Sequence, residues 1–159
     1  MPNIEIVEFS DEWAEDFASL NYEWIEKFFA VEKHDLEILD DPGAFVIEPG
    51  GQIFMAVVSG LAAGTVALIP AGEGVLELTK MAVAPEFQGM GIANRLMERC
   101  IEYAGQRGIK TIFLESHRTL EPAIALYRKF GFVETPIDPN SEYARADIRM
   151  ELAIDGGNM

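Results

Sequence analysis

Three groups of residues have the types and spacing to do chemistry. Gln88-Gly89-Met90-Gly91-Ile92-Ala93 is a glycine-bearing turn that opens into an amphipathic helix, with Ile92, Leu96, Met97, Cys100, Ile101 and Ala104 at helical spacing. The first N–H groups of a helix lack internal partners and carry partial positive charge, so such a turn can hold an anion, typically a phosphate. Gly89 and Gly91 keep the approach to that backbone clear of side chains. Upstream, the segment Val75 to Ala84 is apolar except at Glu77, Thr79 and Lys80. Burial beside apolar neighbours raises a carboxyl pKa toward neutrality, as a general base working near pH 7 needs. Tyr127 carries a phenol on a helix that also presents Leu126 and Phe130, where a hydroxyl in a purely apolar slot would fill space poorly.

Regular elements must position these groups. Val75 to Ala84 reads as a strand ended by Pro85, which has no N–H for a sheet. The period of two puts Glu77, Thr79, Met81 and Val83 on one face. Lys110 to Ser116 is a further strand, and Glu121 to Phe130 a helix with Pro122 in its first turn and Gly131 as its stop. Phe132 and Val133 begin another strand, and Tyr143 to Leu152 supplies a last one. Toward the N-terminus, Ile4 to Phe9 alternates as a strand, and Ser10 with Asp11 and Glu12 starts a helix carrying Trp13, Phe17, Leu20, Trp24, Ile25 and Phe28. A short helix follows over roughly Glu32 to Leu39. Strands are then expected at Ala44 to Glu48, Gln52 to Val58 and Gly64 to Ile69, with turns at Pro49-Gly50-Gly51 and Ser59-Gly60. Four or five strands before the long helix and one β-α-β-α-β passage after them give a mixed sheet.

Two familiar phosphate motifs do not fit. No Gly-Lys-Ser/Thr ending exists for a P-loop, and Asn94 stands where a dinucleotide fingerprint has its third glycine. What remains, Gln-x-x-Gly-x-Ala after a strand ending in Met-Ala-Val-x-Pro, resembles the acyl-CoA pyrophosphate loop of the GNAT N-acetyltransferase superfamily. Leu126-Tyr127-Arg-Lys-Phe-Gly131-Phe132 is similar to a second element of the same superfamily, and the resemblance spans roughly Ile4 to Ile154. It implies an α/β (α+β) fold, a mostly antiparallel mixed sheet of about six to seven strands flanked by about four helices. The implied activity is transfer of an acetyl group from acetyl-CoA to a primary amine of a small molecule or peptide. No metal is needed.

In that frame Gln88, Gly89, Met90, Gly91, Ile92 and Ala93 offer N–H groups to the pyrophosphate. Main-chain groups of Met81, Ala82 and Val83 face the pantetheine arm. Glu77 is the implied general base, through a water, and Tyr127 the general acid toward the coenzyme A sulfur. Two readings of Glu77 stand, a base or the partner of Lys80 in a structural ion pair. Tyr127 is either that acid or a packing residue. On the acceptor side, Phe28, Glu32 and Asp35 form a pocket for a cationic amine, or else Phe28 completes the core stripe and the acids are a solvated helix face. His117 stands where many relatives carry asparagine, and its role stays open. A non-catalytic acyl-CoA sensor is the alternative to an enzyme, disfavoured by the presence of both Glu77 and Tyr127.

Composition bounds the rest. The 159 residues suit one domain over 1–159, with 155–159 as a frayed tail. A net charge of −15 opposes nucleic acid as a partner and also opposes acyl-CoA, so local groups must overcome it. Arg95, Arg99, Arg118, Arg128 and Lys129 are the candidates. The lone Cys100 reads as a core residue, and His34 and His117 do not make a zinc site. No apolar run is long enough to span a bilayer and no leader pattern opens the chain, so a soluble cytoplasmic protein, possibly a homodimer, is expected.

Overall fold

The computed structural model describes residues 3–154, so the expected frayed tail lies outside the described residues. Seven strands form one sheet in the order β1-β2-β3-β4-β5-β7-β6. They are β1 (Ile4–Glu8), β2 (Gln52–Val58), β3 (Leu61–Pro70), β4 (Val75–Val83), β5 (Thr111–Ser116), β6 (Val133–Thr135) and β7 (Ile148–Ala153). Every neighbouring pair is antiparallel except β4 with β5. The helices are α1 (Ala14–Phe28), α2 (Lys33–Asp40), α3 (Ile92–Gln106) and α4 (Glu121–Lys129).

Alternation along β2 sorts the core into two layers. Ile53, Met55 and Val57 pack with Phe17, Ile25, Ile38 and Leu39 of α1 and α2. Phe54, Ala56 and Val58 face the other way, toward Leu96, Met97 and Cys100 of α3. The Cys100 thiol is buried, which pushes its pKa up and leaves it a packing group. A close approach fixes α3 to the sheet. A Cβ at Gly64 would stand 2.9 Å from Ile92 Cγ2 and 3.2 Å from the Ala82 carbonyl oxygen.

Several expected elements differ. Ala44 to Glu48 is not a strand, because Gly43–Ile47 forms a π-helical turn. Asp41 accepts from the Ala44 N–H at 3.2 Å, and the Val46 carbonyl is taken by Gly51 N–H at 2.8 Å, which leaves no free ladder edge. Ser10 makes no capping bond, and a 3₁₀ turn, Asp11–Trp13, precedes α1. The last strand starts at Ile148 rather than Tyr143, since Glu32 binds the N–H groups of Ala144 and Arg145 at 2.9 and 3.3 Å. Phe28 neither completes the core stripe nor joins a pocket. The buried line of α1 runs Phe17, Asn21, Ile25, which rotates Phe28 to 49 % exposure against Trp24.

Candidate active site

β4 and β5 pair only from Val75 to Glu77 against Thr111 to Phe113. Beyond Glu77 the two strands part. β4 is deformed there by a bulge, because Ala67 faces Thr79 while Thr65 faces Ala82, so Lys80 and Met81 together oppose Val66. Lys80 sits at φ 56°, a left-handed backbone that costs a non-glycine residue on the order of 1–3 kcal/mol. Its side chain offsets that strain with an ion pair to Asp35 at 2.6 Å and a bond to the Tyr143 hydroxyl at 2.7 Å. The bulge also reverses strand parity. Met81 and Val83 join Leu76 and Leu78 on the α3 side, so they do not share a face with Glu77 as simple alternation requires.

The parted strands open a cavity of about 430 Å³. At one end lie Gln88, Ala93 and Asn94. Gly91 caps α3 at φ 81°, Gly89 is at φ 84°, and no atom comes within 4 Å of a Cβ built on either. The backbone N–H groups of residues 89 to 94 donate to no protein acceptor among the described residues. That open row of donors at a helix start fits a pyrophosphate, so Gln88 to Ala93 with Asn94 would hold the anionic end of acetyl-CoA. Of the basic candidates only Lys129 reaches the turn, 2.5 Å from Asn94 Oδ1. Arg95 binds the Ile4 carbonyl, Arg99 pairs with Glu8 and Glu102, and Arg118 and Arg128 pair with Glu134.

Tyr127 lines the cavity, and its hydroxyl makes no hydrogen bond among the described residues. Burial pushes its pKa up to about 12, which keeps the phenol protonated at neutral pH. Across the sheet, Glu77 is pushed up to about 6, first by burial and then by the charge of Glu115. Lys80 is spent on Asp35, so Glu77 is not its ion-pair partner. Glu77 itself does not line the cavity, whereas Glu115 does, with Ser141 Oγ donating to it at 2.6 Å. Sequence reasoning missed Glu115. Register finds it, because Glu77 pairs with Phe113 and Glu115 is the next residue on that face of β5.

The acceptor side is built differently from expectation. Asp35 is fully buried, with both oxygens bonded to Arg145 at 2.8 Å and Oδ1 also to Lys80. Glu32 is the N-cap of α2 and holds the 144–145 backbone and the Arg145 guanidinium. Neither carboxylate is free to meet an amine, and Phe28 points away. The cavity wall here is instead Asn21, Trp24 and Phe29 from α1 and its end, with Lys80, Tyr143 and Arg145. His117 also lines it, edge-on to the Phe29 ring at 5.5 Å, and its Nδ1 accepts from the Thr119 N–H at 3.2 Å. No metal-ligand cluster occurs among the described residues, and no helix there is long and apolar enough to cross a membrane.

The chain resembles known proteins in sequence and in fold. The chain is 29% identical over 144 residues to an N-acetyltransferase of Schizosaccharomyces pombe, covering 84% of this chain and 88% of that protein. The ribosomal protein bS18-alanine N-acetyltransferase of Escherichia coli is 38% identical over 77 residues, 48% of this chain and 51% of its own length. A GNAT-family acetyltransferase crystal structure from Staphylococcus aureus superposes with TM-score 0.87 at 18% identity, over 96% of this chain and 99% of the other. The family model described as Acetyltransferase (GNAT) family matches residues 6–132. With that match covering most of its length, the chain belongs to the GNAT acetyltransferase family and is an acetyl-CoA-dependent acyltransferase.

Proposed function

We propose that this enzyme acetylates a primary amine of a peptide or small molecule, with Tyr127 as proton donor and the Glu77–Glu115 pair as proton acceptor. The observation that carries the reading is the parting of β4 and β5 beyond Glu77 and Phe113, beside the open N–H row of residues 89 to 94. Acetyl-CoA supplies the activated thioester. The chain must orient it, deprotonate the amine and protonate the departing thiolate. The main chain of Met81, Ala82 and Val83, lining the side that β5 has left, would hold the pantetheine arm. Tyr127 suits the last step, being protonated and unbonded in the cavity wall.

Glu77 and Glu115 lie on one face of neighbouring strands, and the charge of Glu115 adds to burial in raising the Glu77 carboxyl. Glu115 faces the cavity and would take the proton from the amine, directly or through a water, with the Glu77 carboxyl, pushed up to about 6, behind it. The named action of the Escherichia coli relative on an alanine of a ribosomal protein supports a peptide amine among the acceptors. Release of free coenzyme A across a panel of peptides, amino-acid amides and polyamines tests the reading. Turnover of at least one acceptor is expected, and Tyr127→Phe should lower its kcat by roughly 10²-fold. Coenzyme A release no faster than thioester hydrolysis for every acceptor would refute it.

A further inference from the structure

We infer that Asn21 selects the acceptor. Its carboxamide oxygen accepts a hydrogen bond from a neutral N–H of the substrate, so acceptors with an amide beside the reacting amine are preferred. This rests on the transferase reading above. Asn21 lies in the middle of α1, 1 % exposed, and forms part of the cavity wall. Its Nδ2 donates to the Phe17 carbonyl one turn back, at 2.9 Å. The Oδ1 accepts no hydrogen bond among the described residues. Yet the one side-chain atom there that lacks both a partner and solvent contact is Thr135 Oγ1. The Asn21 oxygen is therefore open to the cavity rather than sealed in the core.

Packing alone does not call for asparagine here. The residues four before and four after it, Phe17 and Ile25, are buried and apolar, and asparagine is a weaker helix former than leucine. An unpaired acceptor in a largely dry wall is favourable once a donor arrives. Lys80 and Arg145 also line the cavity, each paired with Asp35. Lys80 spends two N–H groups on Asp35 and Tyr143 and keeps one more, suited to a carbonyl. An amide offers both groups, an N–H for Asn21 and a C=O for Lys80. Trp24 and Phe29 flank the position and suit an apolar side chain on the acceptor.

The test compares phenylalanine N-methylamide with phenylalanine methyl ester, which replaces the N–H by oxygen. For the natural protein kcat/KM should favour the amide by about 10-fold or more, as a site built for a hydrogen bond rejects the analogue lacking it. Asn21→Leu should bring the ratio close to one by slowing the amide alone, and Asn21→Asp, which keeps an oxygen there, should retain a preference. An amide-to-ester ratio near one in the natural protein overturns the inference, whether or not Asn21→Leu folds. So does an unchanged ratio in a folded Asn21→Leu, or turnover of neither probe while polyamines react. Failure to turn over any amine would remove the transferase reading, and this inference with it.

Discussion

Asp35 Oδ1 lies 2.6 Å from the Lys80 ammonium, with both side chains shut off from water at 0 % and 3 % exposure. The same carboxylate receives two bonds from Arg145 at 2.8 Å. One side chain thus ties α2, the β4 bulge and the loop before β7 into the wall of the cavity. Asp35→Ala would leave Lys80 buried without a counter-charge, which costs about 3–5 kcal/mol. Urea unfolding should show that loss, and adding Lys80→Met should recover much of it. A loss additive with that of Lys80→Met alone would show that the two do not act as a pair.

Asp35 also gives the fold an acid limit. Burial alone would raise its pKa, but Arg145 and Lys80 overcome that and hold it well below the usual carboxylate range. A carboxyl group depressed in the folded state contributes stability above its unfolded pKa of about 4, and the contribution fades as pH falls through the folded value. The urea midpoint of the natural protein should therefore fall below about pH 4 more steeply than that of Asp35→Asn. Parallel curves would place the acid sensitivity on other carboxylates.

In the proposed mechanism the Glu77–Glu115 pair makes activity rise with pH. The Glu77 carboxyl, pushed up to about 6 by burial and by Glu115, must lose its proton for the pair to accept another. kcat/KM should climb through about pH 6 and then level. Glu115→Gln should lower kcat by roughly 10²-fold. Glu77→Gln should lose less and should remove the limb near pH 6, because that limb reports the Glu77 carboxyl. The reverse order of losses would make Glu77 the group that meets the amine.

Sequence carried the frame of the site but not its acceptor wall. The helix from Ile92 and the glycine turn before it are legible because both signals are local. Glu77 stands out locally as a carboxylate between Leu76 and Leu78, whereas Tyr127 is picked out by the Leu-Tyr-x-x-x-Gly-Phe resemblance. The bulge at Lys80 is silent in sequence, with no glycine marking φ 56°, so parity beyond Thr79 is misread. Asp35 and Glu32 read as free acids because their partner, Arg145, is 110 residues from Asp35 along the chain. The same long-range clamp turns Tyr143 to Asp147 from an expected strand into a loop. Asn21 passes as an ordinary helix residue until the cavity beside it is known.

Gly91 is the sharpest test of the cofactor end. It caps α3 at φ 81° with nothing within 4 Å of a Cβ position, so an added side chain meets solvent rather than protein. Aspartate tolerates the left-handed region better than most residues, so Gly91→Asp should fold. Its carboxylate would stand at the open N–H row of residues 89 to 94, where an anion belongs. Acetyl-CoA at about 100 times its Kd stabilises the fold by about 2.7 kcal/mol. For a domain of about 150 residues that raises Tm by about 5–10 °C. Gly91→Asp should abolish the rise, and Gly91→Ala, strained but uncharged, should keep part of it. A full rise in Gly91→Asp would mean that the pyrophosphate is held elsewhere and that residues 88 to 93 only shape the turn.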